Sequence, residues 1–134
     1  MLKARDVMVP ELRVIKDSEF LEVAARRMLF EGVDSLVVVS SSEEPIGIIT
    51  KSDIIRAVII EKMNPAETPV REVMSKPLKF VDANEDLDIV INMMIEQNIS
   101  HVLVKENGKF VGIISGLDIM YVTNTLIDII REKL

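Results

Sequence analysis

The chain has 134 residues, 49% apolar and 28% charged, enough for one ordinary domain or two very small ones with a mostly aliphatic core. A net charge of −6 argues against coating nucleic acid, which needs a basic face, and the absence of Cys removes disulfides, thiolate nucleophiles and cysteine-ligated zinc. The start MLKARDVMVP has no long apolar run and no stretch approaches ~18 apolar residues, so the expectation is a soluble cytoplasmic protein with no membrane span.

In chain order, Leu21, Ala24, Ala25, Met28 and Leu29 recur at helical spacing. Ser18 or Asp17 is the predicted cap, Glu19 and Glu22 suit the positive end, and Gly32 offers the stop. Two strands follow at 35–39 and 45–50, joined by SSSEEP, and a helix is expected over 52–62. NPAETP (64–69), with two prolines, reads as a linker. Asn84 then caps a second helix carrying Leu87, Val90, Ile91, Met94 and Ile95, with Glu85, Asp86 and Asp88 in its first turn. Strands at 101–105 and 110–115 flank Asn107-Gly108, a strong tight-hairpin signal. The last predicted helix, 117–133, belongs to a stretch carrying Met120, Val122, Leu126, Ile129, Ile130 and Leu134. That is more apolar surface than one thin layer needs; with the helix around 54–60 it reads as a homodimer face, with packing inside the monomer as the competing use.

The two halves are one unit written twice. Residues 5–39 lie over 71–105 without a gap, pairing Arg5 with Arg71, Met8 with Met74, Leu21 with Leu87 and Met28 with Met94. After one deletion, GIITKSDII (47–55) meets GIISGLDIM (112–120). Each half reads short strand, helix, strand, strand, helix. The expected organisation is therefore a first repeat over 1–62, a linker over 63–70 and a second repeat over 71–134. Units this small bury little alone, so the two are expected to pack sheet on sheet with pseudo-twofold symmetry and share a core.

The repeated nonapeptide admits two physical uses. Thr50 and Ser115 end strands and lie three residues before Asp53 and Asp118, close to the spacing of a capping box. The same corner suits a ligand, because unpaired amides at a helix start favour phosphate and a carboxylate matches the two hydroxyls of a ribose. Thr50, Ser52 and Ser115 would add hydroxyl donors.

DVM (6–8) and EVM (72–74), GVDSLVVV (32–39) and NISHVLVK (98–105), and the two nonapeptides together resemble a tandem pair of CBS domains, or Bateman module, over almost the whole chain. The pattern departs at Val37 and Leu103, where proline is common, and at Val9, where a hydroxyl residue often stands and Ser75 supplies one. The resemblance implies an α+β fold of two β-α-β-β-α repeats and a regulatory, non-catalytic module. It implies that such a module binds AMP, ADP or ATP in two clefts between the repeats and signals to a partner protein, commonly as a dimer of pairs. One cleft would combine Ile48, Thr50, Ser52 and Asp53 with Ser75, Phe80, Ile99, Ser100 and His101. The other would combine Ile113, Ser115 and Asp118 with Val9, Val14, Val33, Asp34 and Ser35. The first holds the fuller polar set and is expected to bind more tightly. The alternative is a structural module with empty clefts, or one that takes S-adenosylmethionine or NAD.

No Walker loop, G-x-S-x-G or HExxH occurs, so no catalytic residue is assigned. His101 is the only His, so it builds no His-rich metal site, and the eight Met read as core filler. No cofactor is expected beyond the nucleotide itself. Arg5 and Arg71 read first as salt-bridging residues, with phosphate contact as the weaker use.

Overall fold

The computed structural model describes residues 1–133; Leu134, expected in the apolar stripe of the last helix, lies outside the described residues. The elements run α1 (Ala4–Val7), β1 (Val14–Lys16), α2 (Leu21–Glu31), β2 (Ser35–Val39), β3 (Pro45–Thr50), α3 (Lys51–Ile55), β4 (Phe80–Asp82), α4 (Leu87–Glu96), β5 (His101–Glu106), β6 (Lys109–Ser115) and α5 (Gly116–Lys133). A π-helical turn, Arg56–Ile60, extends α3, and a 3-10 turn covers Val70–Glu72. The architecture is α+β. It has two three-stranded mixed sheets, β1-β2-β3 and β4-β5-β6, each with a parallel first pair and an antiparallel second pair.

The compact units do not follow the repeat bounds read from the sequence. One is Arg13–Leu78; the other joins Met1–Leu12 to the chain from Lys79 onward. In the first, α2 buries Leu21, Ala24 and Met28 against Ile15, Leu36, Val38, Ile49, Ala57 and Val70. In the second, α4 buries Leu87, Val90 and Met94 against Ala4, Val81, Ala83, Val102, Val104 and Ile114. The period of three and four residues puts these side chains on one helical stripe. That stripe is narrower than the sequence suggested: Leu29 and Ile95, expected on it, are 76% and 71% exposed.

The helix starts also differ from expectation. The N-caps are Phe20 and Asp86, neither making a side-chain capping bond. Backbone carbonyls satisfy the first turns instead: Thr68 and Pro65 accept from Leu21 and Glu22, and Leu2 accepts from Leu87. Ser18 and Asp17 are therefore not the cap. Asn84 accepts from the Arg5 guanidinium, and its own N–H donates to Asp82 Oδ1 at 2.8 Å. Arg5 also pairs with Glu106 at 3.5 Å, the structural use expected of it.

At the other end of α2, Gly32 adopts φ +67°, the left-handed stop its position predicts. Glu31 sits badly there against the helix dipole. Hydrogen bonds from Arg27 and Arg13 hold its carboxyl below the ordinary glutamate range. Asn107 and Gly108 both take positive φ, 51° and 80°, as the tight β5–β6 hairpin requires.

The linker is part of the first unit. Asn64 O accepts from the Thr68 N–H and hydroxyl, Val70 N–H donates to Glu19 O at 2.7 Å, and Val70 is fully buried.

Candidate ligand-binding site

In the unit Arg13–Leu78, antiparallel pairing sets Ser35 opposite Thr50. Lys51 N–H donates to Asp34 O at 3.0 Å, which ties the start of β2 to the start of α3. Thr50 leaves the strand in extended conformation (φ −117°, ψ 166°) and caps α3. Asp53 N–H donates to Thr50 Oγ1 at 3.2 Å, and Thr50 N–H donates to Asp53 Oδ2 at 2.9 Å. This is a reciprocal capping box with Asp where Glu or Gln is usual. The carboxylate of Asp53, only 6% exposed, has its other oxygen filled by Arg56 Nη2 at 2.8 Å.

Segment 74–75 borders the free edge of β3. Ile48 and Ser75 exchange backbone hydrogen bonds of 3.1 and 2.8 Å. The approach is so close that a Cβ on Gly47 would lie 2.9 Å from Ser75 O. Ser75 is thereby paired with the strand two residues before Thr50, and Ser52 is exposed on the first helical turn.

The second unit repeats this construction with different occupants. His101 stands opposite Ser115, and Gly116 N–H donates to Ser100 O at 3.0 Å. Ser115 donates both N–H (2.8 Å) and Oγ–H (2.9 Å) to Asp118 Oδ2, and Asp118 N–H returns a bond to Ser115 Oγ at 3.3 Å. Val9 and Ile113 exchange backbone bonds of 2.9 and 3.1 Å, and a Cβ on Gly112 would lie 2.8 Å from Val9 O. Among the described residues no cation lies on Asp118. Ser100 Oγ and His101 Nδ1 are 2.9 Å apart. At the start of β4, Phe80 meets Phe110 edge-on (5.8 Å between centroids), and Lys105 Nζ lies 4.9 Å over the Phe80 ring.

The CBS domain model matches twice, at residues 4–60 and 70–124. The chain belongs to the CBS domain family. It is 33% identical over 111 residues to an uncharacterized protein of Methanopyrus kandleri, covering 82% of this chain and 57% of that relative. The chain thus spans little more than half the length of that relative. The crystal structure of an uncharacterized conserved protein from Pyrococcus horikoshii superposes with TM-score 0.85 at 34% identity, covering 90% of this chain and 91% of that one. The CBS domain pair of protein MJ0100, solved with 5′-methylthioadenosine and S-adenosyl-L-methionine, shares the fold (TM-score 0.82, 23% identity, covering 92% of this chain and 97% of that one).

The residues expected to line two clefts fall into the CBS pair's units as follows. Ile48, Thr50, Ser52, Asp53 and Ser75 share the unit Arg13–Leu78 with Val14, Val33, Asp34 and Ser35. Ile113, Ser115, Asp118 and Val9 share the other with Phe80, Ile99, Ser100 and His101. Val33 and Ile99 are half-buried beside the cores of their own units. Within each unit the structure gathers the hydroxyl–carboxylate corner, the first residues of the neighbouring strand and one residue of the flanking segment. Sequence reading missed Arg56. Its signal was present as an unequal pair, since Arg56 aligns with Tyr121 under the offset that matches Asp53 to Asp118. Among the described residues, no group of three or more His, Asp or Glu is placed to hold a metal, and no helix is long and apolar enough to cross a membrane.

Proposed function

We propose that this CBS pair is a regulatory, non-catalytic sensor of adenine nucleotides (AMP, ADP or ATP) that acts as a homodimer and signals to a partner protein. The observation that carries the reading is the duplicated corner. Twice, a strand ends in a hydroxyl residue bonded to an aspartate three positions on, with Ser75 or Val9 hydrogen-bonded to the same strand. Asp53 and Asp118 are assigned to the ribose. Thr50, Ser52 and Ser115 are assigned to the phosphates, and Val33, Ile99 and Phe80 offer apolar contact to the base. Signalling requires that one conformation bind the nucleotide better than another.

A thermal-shift panel of AMP, ADP, ATP, NAD and S-adenosylmethionine tests this. A nucleotide should raise the melting temperature, and Asp53→Ala with Asp118→Ala together should abolish the rise, each variant being compared with its own unliganded midpoint. No shift with any ligand sinks the sensor reading.

A second reading, that the ligand is another adenosyl compound, is favoured at the second corner by Asp118, on which no cation lies among the described residues. A pair of the same fold holds 5′-methylthioadenosine and S-adenosylmethionine. A shift with S-adenosylmethionine alone would select it.

A further inference from the structure

The two corners differ most in what sits on the aspartate. Asp53 is buried, and its Oδ1 accepts from the Arg56 guanidinium at 2.8 Å; Asp118 has no cation on it among the described residues, and Tyr121 occupies the position of Arg56. The Arg56 side chain is 52% exposed, while one of its nitrogens is tethered to Asp53. A guanidinium carries five donors and matches phosphate oxygens in pairs. Tethering also removes part of the rotamer entropy that such a side chain would lose on gripping a ligand.

A buried, uncompensated carboxylate would repel a phosphate group nearby, whereas the Asp53–Arg56 pair is neutral and keeps donors to spare. The same aspartate without its arginine suits adenosyl ligands that carry no phosphate.

We propose that Arg56 is a specificity-determining residue that makes the first corner selective for 5′-phosphorylated adenine nucleosides over unphosphorylated ones. This rests on the sensor reading above and goes beyond it by assigning the phosphate preference to one residue of one corner.

The test measures AMP and adenosine affinities by titration calorimetry in an Asp118→Ala background, which isolates the first corner. Arg56→Gln should lower the AMP-to-adenosine affinity ratio about tenfold, the loss typical of one charge-assisted hydrogen bond. Arg56→Lys should restore part of it. If Arg56 only braced the helix start, both affinities would fall together and the ratio would hold; that result overturns the inference and leaves the sensor reading standing. Failure of the unmutated protein to bind either probe overturns both.

Discussion

At Gly112 one methyl group decides whether the flanking segment can pair with its strand. A Cβ there would sit 2.6 Å from Met8 Sδ and 2.8 Å from Val9 O; the thioether can swing aside, but the carbonyl is half of the Val9–Ile113 bridge and cannot. Gly112→Ala should therefore cost about 1–3 kcal/mol, the usual range for overpacking, read from the midpoint of urea unfolding. An unchanged midpoint would show that the segment yields freely. The sequence displayed both glycines as a repeated pair, yet their reason lies in the backbone carbonyls of Val9 and Ser75, far along the chain, which no local pattern reveals. Thr50 and Asp53 were readable as a capping box from spacing alone. Arg56 was not, because whether a residue at i+3 reaches a buried carboxylate depends on rotamer and burial rather than on position.

Strands were the most legible elements. Residues 35–39 and 45–50 form β2 and β3 as expected, since short β-branched runs bounded by turn residues have few other uses. Helix starts were the least legible. α2 and α4 borrow carbonyls from Pro65, Thr68 and Leu2 in place of a local side chain, and a cap supplied by a remote backbone leaves no trace in the neighbouring sequence. α5 raises a different question, for it buries none of its residues while Leu126, Ile129 and Ile130 are 47%, 44% and 58% exposed. Among the described residues of α5, Ile119 and Val122, near its start, pack on the core of their unit. Apolar positions continue past that point on a helix with Asp118 in its first turn and Arg131 and Lys133 in its last, so an antiparallel second copy would set opposite charges side by side. Sedimentation at micromolar concentration should show a dimer, and Ile130→Glu should shift it toward monomer. A monomeric unmutated protein refutes the pairing.

For the molecule as a whole, the duplication was visible from end to end, but the division into compact units was not. Repeat bounds follow the copied text, whereas packing assigns Met1–Leu12 to the unit that begins at Lys79. Ala4 is fully buried in that unit's core, and Lys3 bonds Asp86 at 2.5 Å. Deleting residues 1–12 should therefore speed amide hydrogen exchange in β5 and β6 while leaving β2 and β3 protected; equal loss in both sheets would show that the units do not open separately. The same feature fixes an order of events during synthesis. Residues 13–78 can close as soon as they leave the ribosome, because every strand of their sheet is then present. Residues 1–12 emerge before them, and their partners in β6 and the core around Val102 and Ile114 are made only later. Of these residues, the ones made first are among the last to be packed.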